Sequence, residues 1–446
     1  MNFERNMKKR GEASLDAIVP NPYPKKKAFP LWAKVLIPAG GIALASAIAL
    51  STILPNLNVL SPTPVAQTNY FATPPKAEKI PCLSNAIAVP ASGKTLRCMD
   101  PFFADKSNRN YVLSPASFLL SAAAVMAVSD GFDVAAFGLN DPEKDCKSLL
   151  ESWNYHFEDT DPAHSACSRF DSGVLHQQVG GTYRFDEDAM KAIADDYIAS
   201  SRASRLDYHK QATEYFRDAV GLDLPIPDPL LNSDGVITYG AIKMKDYVPG
   251  GWGSVERPFR LGKETIQVES RVFGSVYHPL SMPYYDGEGY QAFRMDVDAT
   301  DLLFILPDEG VALEDIPVSA AFDAFMANNV VRETKGYVPY FHLRTLRVDL
   351  LPAVASRLTG NEKFYSKLLA KDVYNNLSLA AVLQSSDFEF NRYGVAGESI
   401  TLWAEAGSAI PEEHEVVTLE VDRPFYAISM KDGFPLFVNK VNDPSI

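Results

Sequence analysis

Seven histidines (His156, His164, His176, His209, His278, His342 and His414) and four cysteines (Cys82, Cys98, Cys146 and Cys167) are the side chains here best suited to general-base, nucleophilic or metal chemistry. None stands in GxSxG, which lifts a serine nucleophile onto a sharp turn, or in HExxH, which sets two imidazoles on one helix face. No CxxC pair and no His-rich ligand spacing occurs, so no metal site is expected. "YGAIKMKDYVPGGWG" (Tyr239–Gly253) has glycines but no Lys-Ser/Thr after them, so it is no phosphate cradle. No catalytic residue and no cofactor are expected, and the chain does not read as an enzyme. The stretch that asks for a chemical explanation is "NRYGVAGESITLWAEAGSAIPEEH" (Asn391–His414), small residues with one Glu, then a Pro and an acidic cluster. Its composition leaves three readings open: strand, linker, or a loop built to be touched by another molecule.

The elements that would position this stretch begin with an unusual leader. Residues 1–27 are polar and basic, with Arg5, Lys8, Lys9, Arg10 and Lys25–Lys27, and Ala28–Leu54 is nearly apolar apart from Lys34. Val35–Leu54 is nearly all apolar and, at about 20 residues, long enough to cross a bilayer as a helix. The basic flank precedes it, which places residues 1–34 in the cytoplasm and everything later outside. A cleaved signal peptide is the competing reading, with "PVAQ" (Pro64–Gln67) as the cleavage candidate and a secreted product as the outcome. Residues 55–80, rich in Pro, Thr, Ala and Asn, read as a flexible tether, leaving 81–446 as the globular part. The four cysteines lie in the exported portion, where disulfides are permitted; local pairing would join Cys82 to Cys98 and Cys146 to Cys167, and free thiols are the alternative. A net charge of −14 argues against a nucleic-acid partner, because phosphate binding needs a basic face.

Within the globular part helical patterns come first. "SPASFLLSAAAVMAVSDG" (Ser114–Gly131) opens on a Ser-Pro cap and continues apolar. "DEDAMKAIADDYIASSRA" (Asp186–Ala203) and "KQATEYFRDAVG" (Lys210–Gly221) carry apolar residues three and four apart, as amphipathic helices do. Later segments turn to period two or short apolar runs, and the last reads as a hairpin turning at Lys431-Asp432-Gly433. Helices first and mainly antiparallel strands after them give an α+β class.

Five stretches in chain order resemble the serpin family. "NYVLSPASF" (Asn110–Phe118) is similar to the segment leading into that family's second helix, with Asn110, Ser114, Pro115 and Ser117 at its spacing. "GGWGSVERPF" resembles its Trp-then-Pro-Phe segment through Trp252, Pro258 and Phe259, with the spacing stretched. "LLFILPDEG" (Leu302–Gly310) and "VPYF" (Val338–Phe341) resemble two of its strand motifs, and "VDRPFYAISMKDGFPLFVNKVNDP" (Val421–Pro444) its C-terminal hairpin. The resemblance runs from about Met99 to the C-terminus and implies helices packed around three mainly antiparallel sheets with an exposed reactive-centre loop. It also implies a monomeric inhibitor of serine proteases, and the simple leader and few cysteines suit a bacterial member.

In that frame Asn391–His414 occupies the place of the reactive-centre loop, a bait that is cleaved and then inserts as an extra strand into the main sheet. The hinge corresponds to Gly394, Val395, Ala396, Gly397, Glu398, Ser399, Ile400 and Thr401, with Glu398 and Ile400 replacing the family's alanines. Insertion exposes alternate residues to opposite faces. The series Val395, Gly397, Ser399, Thr401 is small or β-branched and suits burial, whereas Ala396, Glu398 and Ile400 would face outward. A carboxylate one place along would cost several kcal/mol. Trp403 and Glu405 continue the inward series and fit it less well. The family spacing puts the reactive bond at Ser408–Ala409, or at Ala406 or Ile410 if the register slips. Small aliphatic surroundings, "AEAGSAIP", point to an elastase-like or subtilisin-like protease with a small specificity pocket. Where the sheet must open, Ser114 and Ser117 match the family, but Gly240 replaces an Asn and Gln384 a His. Losing both would remove hydrogen bonds worth about 1 kcal/mol each, unless Gln384 restores part of the network.

Overall fold

The computed structural model describes residues 85–130, 134–141, 166–177, 200–204, 235–247, 253–297, 300–352, 382–392, 394–395 and 416–445, with short pieces at 144–145, 148–149, 153, 155–157, 188, 363–366 and 376–378. All of them fall within one unit of the chain, Pro64–Ile446. The leader, the apolar stretch Val35–Leu54 and the tether lie outside the described residues, and so does the amphipathic segment Lys210–Gly221. Among the described residues no helix is long and apolar enough to cross a membrane.

The first helix, α1 (Asn85–Phe103), has no clear signal in the sequence, because Pro90 and Gly93 both disfavour helix. Its stability comes from packing. Leu96, Met99 and Phe103 recur three and four apart and are all buried. A Cβ on Gly93 would stand 3.1 Å from the carboxylate of Asp323, so the glycine lets a neighbouring helix come close. That neighbour is α3 (Val318–Asn328). A buried lysine, Lys440, closes the far end of α1 by donating to the carbonyls of Phe103 at 3.0 Å and Asp105 at 2.6 Å. Between α1 and α3 in the chain lies α2 (Pro115–Val128), whose Ser-Pro start is as expected. Ser114 Oγ accepts from the Ser117 N–H at 3.1 Å, capping the first turn, and Pro115 takes the position where its missing N–H costs nothing. With apolar residues on every side, α2 belongs to the interior.

Two large sheets sandwich that helix. Chain order supplies β1 (Tyr111–Leu113), β2 (Ala166–Gln177), β3 (Ser200–Ser204), β4 (Gly235–Tyr247), β5 (Ser254–Leu261), β6 (Glu264–Phe273), β7 (Leu280–Gly287), β8 (Tyr290–Asp296) and β9 (Asp301–Pro307). After α3 come β10 (Val330–Pro339), β11 (Phe341–Asp349), β12 (Leu383–Asn391), β13 (Gly394–Val395), β14 (Val417–Glu420), β15 (Phe425–Lys431) and β16 (Phe434–Val441). A ten-stranded sheet runs β1-β16-β15-β9-β8-β7-β10-β6-β5, with β14 added in parallel to β10. A seven-stranded sheet runs β11-β12-β13-β4-β2 and on to Tyr155–Phe157, with β3 added in parallel to β2. A small third sheet joins 129–130, 363–366 and 376–378. Helix α2 packs on β4 of one large sheet and β16 of the other.

The C-terminal hairpin forms as the sequence predicts. Asp432 (φ 51°) and Gly433 (φ 76°) both have positive φ, as a two-residue hairpin loop matched to strand twist requires. Every residue of β15 and β16 is buried. One expectation is corrected: the helix read through Ala203 does not reach that far, because Ser200–Ser204 pairs with Gly173–Gln177 as strand β3. Two serines lead this piece, and partners on β2 override its weak helical pattern.

Candidate functional site

The two large sheets are joined by aromatic rings at the point where the candidate loop begins. Phe390 on β12 lies 6.1 Å from Phe304 on β9 and 5.9 Å from Phe341 on β11, centroid to centroid. Phe388 is 5.3 Å from Phe437 on β16. Along β12 burial alternates strictly, with Gln384, Ser386, Phe388 and Phe390 facing inward. The chain then reverses between Asn391 and Gly394.

Past the reversal lies β13, only two residues long. Gly394 and Val395 pair with Asn391 and Phe390 on one side and with Tyr247 and Asp246 of β4 on the other. In this register Val395 stands opposite Phe390 and Asp246, both of which are buried. The Asp246 carboxylate accepts a hydrogen bond from Thr300 Oγ1 at 2.8 Å. Among the described residues no ladder joins β4 directly to β12, and β13 stands between them. At the reversal Arg392 Nη2 meets Glu269 Oε1 on β6 at 2.8 Å. This pair ties the turn to the ten-stranded sheet.

The four residues expected to hold the sheet meet beneath α2. Gln384 donates through Nε2 to the Ser114 carbonyl at 2.9 Å and accepts at Oε1 from the Ser114 N–H at 2.8 Å. Ser114 Oγ donates to the Leu436 carbonyl at 2.7 Å, and Ser117 Oγ to the Gly240 carbonyl at 2.5 Å. The first turn of α2 therefore grips β12 through Ser114 and β4 through Ser117. Gly240 has a steric reason as well, since a Cβ there would stand 2.2 Å from the Ser117 carbonyl oxygen. Helix α2 rests directly on the backbone of β4 at this glycine.

The far end of the loop is anchored by β14. Thr334–Tyr337 of β10 pairs with Val417–Glu420, and Val421 N–H donates to the Tyr337 carbonyl at 3.1 Å. A Cβ on Gly336 would lie 1.8 Å from the Leu419 carbonyl oxygen, so only glycine lets β14 dock. Just beyond, Asp422 receives Arg423 Nη1 at 2.7 Å and Arg260 Nη2 at 2.8 Å. Ala396, Gly397, Glu398, Ser399, Ile400, Thr401, Trp403, Glu405 and the bond Ser408–Ala409, with Ala406 and Ile410, lie outside the described residues.

Sequence reading missed three partners: Glu269, Asp246 and Gly336. Nothing local marks them, because each is defined by a strand far away in the chain. His342 on β11 meets Asp387 on β12 at 2.8 Å, and that hydrogen bond raises the imidazole pKa above its ordinary value. Cys98 is buried on α1, its thiol donating to the Lys94 carbonyl at 3.3 Å, while Cys167 stands opposite His156 in the ladder. Cys82 and Cys146 lie outside the described residues. Among the described residues no three His, Cys, Asp or Glu side chains gather as metal ligands.

A ten-stranded and a seven-stranded sheet around a buried helix, with a short strand entering the gap between β12 and β4, define the serpin fold, and the chain has that fold. No protein-family model and no curated protein matches the sequence. Solved structures match its fold. A thermophilic serpin, tengpin, in its native state superposes with a TM-score of 0.64 at 14% identity, over 83% of this chain and 97% of that one. Human thyroxine-binding globulin complexed with thyroxine gives 0.61 at 14% identity, over 80% of this chain and 99% of that one. Serpin48 of the insect Tenebrio molitor gives 0.60 at 15%, over 80% and 96%. At these identities the likeness is one of fold.

Proposed function

We propose that the chain inhibits serine proteases as a suicide substrate. The observation that carries this reading is β13: the first two hinge residues, Gly394 and Val395, are already paired as a strand between β12 and β4. The sequence supports further insertion, because Val395, Gly397, Ser399 and Thr401 are small or β-branched and alternate along an extended strand. The protease serine oxygen attacks the carbonyl carbon of Ser408. The Ser408–Ala409 C–N bond breaks, Ala409 leaves as the amine with a proton, and the acyl-enzyme keeps residues up to Ser408. The released segment then continues β13 down the gap, gaining ladder hydrogen bonds and carrying the protease with it. This chain supplies no catalytic side chain, only a bait and a place for the cut strand.

Small residues around the bond favour a protease with an elastase-like or subtilisin-like pocket. We place the domain outside the cell, held by residues 35–54, in a bacterial setting; the basic leader supports this arrangement. A second reading, a non-inhibitory binding protein, is favoured by the thyroxine-binding globulin likeness and by Trp403 in the inward series. Incubation with pancreatic elastase separates the two. Inhibition gives a complex that survives SDS, whereas a binding protein gives a cut loop and no complex.

A further inference from the structure

The most exposed large hydrophobic side chain among the described residues is Tyr277, at 75%, and its neighbour Val276 stands 59% exposed. They form the tip of a turn between β6 and β7 that is built rigidly. Ser275 N–H donates to the His278 carbonyl at 2.8 Å, and His278 N–H donates to Ser275 Oγ at 2.9 Å. Both roots are fixed on Thr334 of β10. Gly274, at φ 60°, lies so close that a Cβ would stand 2.4 Å from the Thr334 carbonyl oxygen, and Thr334 Oγ1 donates to the Leu280 carbonyl at 2.7 Å. A single isolated exposed apolar residue is ordinary. Two adjacent ones on a braced turn are a surface that loses little freedom when covered.

Their position names the occupant. Thr334 pairs with Leu280 on one edge of β10 and with Val417 on the other. Val417 is the first residue of β14, where the bait segment returns to the fold. The turn is therefore rooted two strand spacings, about 10 Å, from the carboxyl root of the bait. The eight residue steps from Ala409 to Val417 reach about 29 Å at most. A protease held on the bait covers a patch of about 800 Å², roughly 30 Å across. The turn, rooted about 10 Å from Val417, lies within the range of such a footprint.

We propose that Val276 and Tyr277 form an exosite for the captured protease, engaging an apolar depression on the side that binds residues after the bait bond. This rests on the inhibitor reading and deepens it: recognition before cleavage is shared between the bait and a second contact on a turn outside the inserting segment. An exposed tyrosine anchor suits such a role, because aromatic residues dominate binding energy at interfaces.

The test uses the full chain and the elastase- or subtilisin-type protease with which it forms an SDS-stable complex. Tyr277→Ala, and Val276→Ser with Tyr277→Ala, should slow association about tenfold while leaving stoichiometry and thermal midpoint unchanged. Tyr277→Phe should keep the rate within about twofold, and a synthetic peptide spanning residues 400–416 should be cut at a rate that does not depend on the turn. Association by the alanine variants at the wild-type rate would overturn the exosite and leave inhibition standing. Absence of any covalent complex with the wild-type chain across both protease types would overturn both.

Discussion

Gln384 and Ser114 are joined by two hydrogen bonds, one in each direction, at 2.8 and 2.9 Å. A glutamine on β12, at the position where the serpin resemblance expects a histidine, thereby fixes that strand onto the cap of α2. Replacing Gln384 by Leu leaves the buried Ser114 N–H without its acceptor, which costs about 1–3 kcal/mol. The urea midpoint of the uncleaved protein should fall with an unchanged slope. A change under about 0.5 kcal/mol would show that water reaches the site.

Gly240 leads to the opposite of the expectation drawn from the family. Restoring an asparagine there should weaken the sheet, because the Cβ would stand 2.2 Å from the Ser117 carbonyl oxygen and 2.9 Å from Leu120 Cβ. Gly240→Asn and Gly240→Ala should each destabilise by about 1–3 kcal/mol, the usual cost of overpacking. Stabilisation by either one would refute the close seating of α2 on β4.

Gly336→Ala tests the anchor of β14. With the Leu419 carbonyl oxygen 1.8 Å from the new Cβ, β14 must lift from β10. Amide exchange at Val417–Glu420 should accelerate strongly, while exchange in β15 and β16 stays slow. Equal protection in the variant and the wild type would contradict this.

Asp301 sets a pH dependence. Burial first, then Asp296 and Asp432, push its carboxyl up to about 6 from 3.8, with Arg294 acting against them. The folded state then binds the proton more tightly than the unfolded one, so this group stabilises the fold below about pH 4 and loses that contribution as pH rises to about 6. Asp301→Asn should flatten the fall in stability across this window in urea titrations at a series of pH values. Parallel curves would show that Asp301 does not titrate as described.

Much of the fold is legible in the sequence, for identifiable reasons. The Asp432-Gly433 turn and the Ser114-Pro115 cap are local signals, and local chemistry is enough to form them. Helix α1 is hidden because its support is α3, against which Gly93 packs. The Arg392–Glu269 pair is hidden because 123 residues separate its partners. Gly240 reads as a missing side chain, and the Ser117 carbonyl oxygen that lies against it belongs to a helix more than a hundred residues away. The period-two series from Val395 is more informative, since its first member stands opposite buried Phe390.

The most direct test of inhibition mixes the full chain with elastase and resolves the products on a denaturing gel. Capture predicts a covalent species of the protease plus the chain up to residue 408, with the cleaved protein gaining heat stability as its loop continues β13. A loop cut with neither a complex nor a rise in thermal midpoint would contradict it.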